Sequence, residues 1–185
     1  METLSLHRDW YELLVALIDH RVRFLIVGGH AVAAHGEPRF TKDLDLFVDA
    51  TRANGARLNA ALIEFGFGAH APRAEDIATP GPFWIFGRPP LQVDILTQIP
   101  AVRFTSAWKR RSDVPIDPVR VVGVLSREDL IANKRACGRP QDLADAANLE
   151  RVLKPGAADP RAPRRGPATR GPARSRRAPS RAPRR

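Results

Sequence analysis

Between Phe24 and Val48 the chain reads FLIVGGHAVAAHGEPRFTKDLDLFV. Phe24–Val27 is an apolar run broken by Gly28-Gly29, the pattern of a buried strand ended by a forced turn. Ala31–His35 is alanine-rich and predicts a helix of one or two turns that starts at the glycines. Leu44–Val48 reads as a second strand. Strand side chains alternate between faces, so Leu44, Leu46 and Val48 point into a core while Asp43 and Asp45 share the other face. Two carboxylates this close repel, and each is pushed toward protonation unless a cation lies between them. Hard divalent ions accept such oxygen ligands. Mg²⁺ in particular binds through a few carboxylates together with substrate phosphates.

A third acid lies downstream. Asp94 sits inside the apolar strand Leu91–Leu96, LQVDIL, where a charge is expensive to bury unless it is paired or metal-bound. If this strand neighbours that of Asp45, the three carboxylates converge. They then form the minimum set for a two-metal site that clamps the attacking and leaving oxygens of a phosphoryl displacement. Gly28-Gly29 supplies the other half, because free N–H groups and the helix dipole at a helix start favour a phosphate. Arg39 and Lys42 add cationic screening, and His30 is placed to line the phosphate turn. His30 and His35 are five apart, which is not the four-residue spacing of a zinc helix. Cys137 reads as a small packing residue. The glycine-rich kinase-type and dehydrogenase-type loops and the serine-hydrolase elbow are all missing from the sequence, which argues against those chemistries.

Outward from this stretch, Asp9–His20 places Trp10, Leu13, Leu14, Leu17 and Ile18 on one helical stripe. A helix over Arg52–Phe65 follows a cap at Asp49–Thr51. Pro72–Pro82 shows no periodicity and reads as a loop. Phe83–Phe86 and Leu91–Leu96 read as strands joined by Gly87-Arg88-Pro89-Pro90. Phe104–Arg110 is a short helix and Val119–Val124 a further strand. Ser126 with Asp129 forms a capping box that opens a helix ending near Gly138. Pro140 suits the first turn of a last helix, which carries Leu143, Ala146, Ala147 and Leu149. This order predicts an α/β (α+β) domain with a helical C-terminal portion.

Composition sets the outer limits. Of 185 residues, 43% are apolar and 27% charged, enough to bury a core. No apolar run approaches the roughly 20 residues of a membrane span, and the N-terminus lacks the features of a secretory signal. One cysteine rules out an internal disulfide framework and fits a reducing cytoplasm. The net charge of +10 is unevenly spread: Pro155–Arg185 holds ten Arg and one Asp, which leaves residues 1–154 nearly neutral. That last stretch has no Leu, Ile, Val, Phe, Trp or Met, so it is expected to be a disordered basic tail. Three readings stay open for it: a solvated appendage, an arm that holds RNA or DNA by counterion release, or translated GC-rich sequence past the useful end of the gene.

Gly28-Gly29, thirteen residues, Asp43-Leu44-Asp45 and then a lone strand aspartate resemble the polymerase-β-type nucleotidyltransferase superfamily. The longer pattern GGHAVAAHGEPRFTKDLDL, with Arg39-x-Thr41-x-Asp43-x-Asp45, is similar to its minimal bacterial branch, which includes the AbiEii-type toxin nucleotidyltransferases. EDLIANKRACGRPQDLADAANL near the end resembles that branch too. The resemblance covers about residues 10 to 153 and implies a mixed sheet flanked by helices. It also implies Mg²⁺ at Asp43 and Asp45, with Asp94 as third ligand and activator of the acceptor hydroxyl. Gly28, Gly29, His30, Arg39 and Thr41 would serve the nucleoside triphosphate, and Lys134 would be its basic partner, with Arg139 and Asp142 beside it. The superfamily often has Gly-Ser where this chain has Gly28-Gly29. The acceptor is left open among a tRNA 3′ end, a protein hydroxyl and a small molecule, and a toxin would have an antitoxin partner. The rival reading is a non-catalytic nucleotide- or partner-binding module with the same fold.

A chain ending at Lys154 should fold with unchanged thermal stability, because the missing segment holds nothing to bury. Melting of the truncated and full chains, compared side by side, checks this; a lowered midpoint would mean that the tail packs on the domain.

Overall fold

A computed structural model describes residues 4–37 and 41–153. Arg39 and the basic tail lie outside the described residues. Six strands form one sheet: β1 (Phe24–Ile26), β2 (Asp43–Val48), β3 (Phe83–Phe86), β4 (Gln92–Leu96), β5 (Ser112–Pro115) and β6 (Val121–Val124), in the order β3-β4-β2-β1-β6-β5. The sheet is mixed. β2 runs parallel to β4 and β1 parallel to β6, whereas β1–β2, β3–β4 and β5–β6 are antiparallel. The helices are α1 (Arg8–Asp19), α2 (Gly28–Ala34), α3 (Arg52–Glu64), α4 (Ala74–Ile77), α5 (Phe104–Arg110), α6 (Arg127–Cys137) and α7 (Pro140–Leu153).

Strand register divides the sheet into two faces. Trp84, Ile95, Leu46, Ile26 and Val124 form one cross-strand row, with Phe86, Val93 and Leu44 in the next. Of these, Leu44, Leu46, Ile26, Ile95 and Val124 are fully buried. The turn after α3 covers this face, since the Phe67 ring meets Phe86 at 4.5 Å. On the opposite face Ile85, Asp94 and Asp45 share a row, and Phe83, Leu96, Phe47 and Leu25 share the next. Phe104 of α5 packs edge-on against Phe47 at 5.2 Å, which covers the second row at its centre. Cross-strand neighbours on one face are the contacting units of a sheet, so the acid row continues directly into β3.

Local signals set the helix ends. In α1 the buried stripe is Trp10, Leu13, Leu14 and Leu17. Thr51 caps α3 by accepting from the Asn54 N–H at 3.3 Å. Buried Asn54 also ties the start of β1 to the end of β2: its side chain accepts from the Arg23 N–H at 2.7 Å and donates to the Arg23 and Asp49 carbonyls, each at 3.0 Å. Ser126 caps α6, and Gly138 ends it in the left-handed conformation at φ 71°. The second half of the expected capping box is not made: the Asp129 carboxylate takes a two-pronged bond from Arg110 instead, at 2.7 and 3.2 Å.

Two expectations need correction, and one strand forms where none was expected. Pro72–Pro82 is not all loop, because α4 forms there and buries Ile77 completely. Four residues cannot show a helical period. Strand β5 carries no apolar alternation; it pairs on the edge, where its terminal Pro115 is tolerated. The inward face of α7 is not the apolar one expected. Leu143 is 49% exposed, and the buried positions are Asp142, Asp145, Ala146 and Leu149. Two acids displace a leucine from the interior because a buried cation faces them.

Gly55 of α3 lies against α4, where an added Cβ would stand 2.6 Å from the Ala74 carbonyl oxygen and 3.0 Å from Ile77 Cβ. Backbone cannot yield as a side-chain tip can. Gly55→Ala is therefore expected to destabilise the domain by about 1–3 kcal/mol despite its better helix propensity. Chemical denaturation measures this, and a stabilised variant would contradict the packing described.

Candidate active site

The parallel pairing of β2 with β4 sets Asp45 opposite Asp94, and Asp43 opposite Gln92. Each of Asp43, Asp45 and Asp94 thereby offers a carboxylate oxygen within 4.8 Å of the others, a grouping able to hold a metal ion. The set is held from behind. Thr41 Oγ1 donates to Asp43 Oδ1 at 2.5 Å, and the Gln92 amide donates to Asp94 Oδ1 at 2.8 Å from two residues away on the same strand face. Asp45 lies between the other two and is the most perturbed. Burial raises its pKa first, then the charges of Asp43 and Asp94; Lys134 and Arg139 oppose them, and the result is about 6.

The glycines meet this cluster at contact distance. A Cβ on Gly28 would lie 1.9 Å from Asp45 Oδ2, and one on Gly29 would lie 2.7 Å from Thr41 Cβ. Gly28 also has φ 61°, which L side chains rarely adopt. The Gly-Gly pair thus does two things. It turns the chain, and it lets the start of α2 close onto the acids with no side chain between. No side chain caps α2, so the orphan donors of its first turn are left for water or an anion.

A cavity of about 390 Å³ joins these parts, lined among others by Gly28, Thr41, Asp43, Asp45, Asp94 and Lys134. Lys134 is deeply buried, and its ammonium donates to Asp142 at 2.7 Å and lies 3.1 Å from Asp145. Arg139 donates to the other Asp142 oxygen at 2.5 Å. Burial pushes the Asp142 carboxyl up, and the bonds from Arg139 and Lys134 more than reverse it, so it lies below the usual carboxylate range. A buried ammonium with carboxylate partners is held in one place, because removing either side would leave a naked charge.

The structure therefore brings together Gly28, Gly29, Thr41, Asp43, Asp45, Asp94 and Lys134, all at one cavity. Arg39 lies outside the described residues. His30 does not line the cavity: it is buried against Trp10, ring centroids 5.0 Å apart and nearly perpendicular, with Nε2 unpartnered. Burial lowers its pKa, with Asp43 pulling the other way. Residue i+1 of a helix start points away from residue i, and here that direction is toward α1. Lys42 is exposed, outside the lining. His35 is structural, its Nε2–H donating to the Leu125 carbonyl at 2.8 Å. Cys137 lines the cavity, half-buried, which its composition alone could not indicate. Asp145 was missed as a functional neighbour; its place three residues after Asp142 and eleven after Lys134 is the signal that a helix-hairpin reading could have used.

A mixed sheet with three convergent carboxylates beside a glycine-lined helix start defines a nucleotidyltransferase-like domain. The family model described as nucleotidyl transferase AbiEii toxin, type IV TA system, matches residues 12–162, and the chain belongs to this family. A comparison with curated proteins gives no match. Among the described residues no helix is long and apolar enough to cross a membrane.

Asp45 gives the site a pH signature. Its pKa in the folded state lies above the ordinary 3.8, so the folded state binds the extra proton between about pH 4 and pH 6. Stability of the metal-free protein should therefore fall as pH rises through that window, by up to about 3 kcal/mol. Asp45→Asn should flatten the profile and melt higher than the parent above pH 6 in chelator. Identical profiles for the two proteins would show that burial and the neighbouring carboxylates do not raise Asp45 as described.

Proposed function

We propose that the protein is a Mg²⁺-dependent nucleotidyltransferase. It moves a nucleoside monophosphate from a nucleoside triphosphate to an acceptor hydroxyl: the acceptor oxygen bonds to the α-phosphorus, the bond to the β-phosphate bridge breaks, and pyrophosphate leaves. The observation that carries this reading is the triad of Asp43, Asp45 and Asp94 within 4.8 Å, closed on one side by the uncapped Gly28-Gly29 turn. The donor set fits a hard divalent ion. It is all oxygen, burial and then the charges of Asp43 and Asp94 raise Asp45 to about 6, and no cation among the described residues bonds to it directly. Bound there, Mg²⁺ would supply charge neutralisation for the phosphates and a lower pKa for the hydroxyl.

The chain's own residues do the positioning. Asp43 and Asp45 hold the metal, with Thr41 fixing the Asp43 rotamer. Gly28 and Gly29 present backbone N–H groups to the triphosphate. Lys134 and Arg139 act on the site through their field, since both are ion-paired with Asp142. Asp94 stands on the side of the open sheet edge and orients the acceptor hydroxyl. Placement and preorganised charge are most of what such a displacement requires.

Family membership argues for a toxin with an antitoxin partner. An RNA acceptor suits residues 1–154 as a catalytic domain extended by a basic tail at 155–185, because a polyanion is held by ten arginines. A single cysteine suits a cytoplasmic setting.

Wild-type protein, Mg²⁺ and labelled triphosphate should place label in an acceptor from a cell extract and release pyrophosphate. Asp43→Asn and Asp45→Asn should reduce transfer to background while the fold is retained. Mg²⁺-dependent transfer surviving in the double variant would refute the reading. So would nucleotide binding that ignores Mg²⁺ with no transfer to any pool, which is the behaviour of a binding module.

A further inference from the structure

Three carboxylates and one amide share the acid-bearing face of β2 and β4. Asp43 is paired with Gln92 and Asp45 with Asp94, and residues two apart on a strand point the same way. The four side chains therefore form a square, with Gln92 as its one uncharged corner. Side chains two apart on a strand start roughly 6.5–7 Å from each other. A glutamine is long enough to cross that gap, and its amide nitrogen donates to Asp94 Oδ1 at 2.8 Å. The amide faces this way and not the other, because its carbonyl turned toward the carboxylate would set acceptor against acceptor. Among the described residues Gln92 is the one donor to Asp94, so Oδ2 is left unshared.

Gln92 is not among the residues that line the cavity, whereas Asp94 is. It acts on whatever occupies the cavity only through the carboxylate it holds. The type of side chain matters here. Lysine or arginine at this corner would make a stronger bond, but its charge would offset the acids and compete with a divalent ion. An apolar side chain would suit the strand and leave the Asp94 carboxylate free to turn. An amide fixes the carboxylate and leaves its charge whole. Thr41 does the same for Asp43 through Oδ1, and Asp45 between them is boxed in by the Gly28 backbone. Each outer acid is thus pinned by a neutral donor. We infer that Gln92 is the positioning residue of Asp94 and holds the carboxylate so that Oδ2 faces the ion site. This rests on the nucleotidyl-transfer reading above for what the ion does there. A partner behind a metal ligand sets metal affinity or turnover by about ten- to a hundredfold. A bond that served only the strand would move neither.

Titration of the full chain with Mn²⁺, in the absence of nucleotide, gives a readout apart from catalysis. Gln92→Met keeps the length of the side chain and removes the donor. It should bind Mn²⁺ about tenfold more weakly than the parent. Label from a saturating triphosphate should enter the cell-extract acceptor pool about tenfold more slowly, with the KM for the triphosphate and the melting midpoint in chelator unchanged. Asp94→Ala supplies the reference. Adding Gln92→Met to it should cost no further Mn²⁺ affinity, because the carboxylate that the amide holds is already gone. Unchanged Mn²⁺ affinity in Gln92→Met overturns the proposal, as does a loss that adds in full to that of Asp94→Ala, or a parent that binds no Mn²⁺. If the parent transfers nothing to any pool yet Gln92→Met weakens Mn²⁺ binding only when Asp94 is present, the transfer reading fails and the role of Gln92 stands. Full transfer by the parent with Mn²⁺ affinity indifferent to Gln92→Met gives the reverse.

Discussion

Everything at the site follows from the parallel register of β2 on β4. Leu44, Leu46 and Val48 on one strand and Val93 and Ile95 on the other are buried on a single face, and a slip of one residue would turn all of them outward. The same slip would drive Asp94 into the core. Hydrophobic burial on one face thus fixes a juxtaposition on the other that is electrostatically unfavourable: Asp45 set against Asp94, with Asp43 beside them. Burial first, and then the charges of Asp43 and Asp94, raise the Asp45 pKa. A fold that holds three carboxylates together without a neutralising contact holds them ready for a cation, and on the proposed reading that readiness is the source of the chemistry.

The positive side of the site is organised by a different rule. Lys134 could have reached toward the acids, but it is clamped by Asp142 and Asp145 across the α6–α7 hairpin. Gly138, in the left-handed conformation, makes the hairpin tight enough for those partners to meet. The ammonium is therefore immobile and desolvated. A fixed charge of this kind acts at a distance through a medium of low polarity, where its field is stronger than at a wet surface. Arg139 shares Asp142 and is largely exposed, which leaves it the more adjustable of the two cations.

Much of this was legible in the residues. Alternation in DLDLFV placed two acids on one face, and a lone charge in LQVDIL marked a third. What linear reading could not provide was the partner of each strand. The convergence of the acids was conditional until the β2–β4 pairing was in hand. Elements lacking a period or an apolar run, α4 and β5, were invisible for that reason. The face of α7 was misjudged because helical patterning weighs hydrophobicity, whereas here a buried lysine recruits Asp142 and Asp145 inward and leaves Leu143 outside. His30 was placed by proximity to the glycines, but helical geometry turned its ring toward Trp10.

The sheet is also asymmetric about the acids, and the asymmetry assigns direction. Toward β1 the acid-bearing face is roofed by Phe104 on Phe47, and the glycine turn closes the flank beside Asp45. Toward β3 nothing among the described residues covers Ile85 or Phe83. A displacement at phosphorus needs the incoming and departing oxygens on opposite sides. The closed flank, with its backbone donors and no side chains, suits the departing phosphates. The open flank, apolar and next to Asp94, suits a molecule that must arrive, react and leave. On the proposed reading, nucleotide and acceptor would then approach from opposite sides of a single carboxylate row.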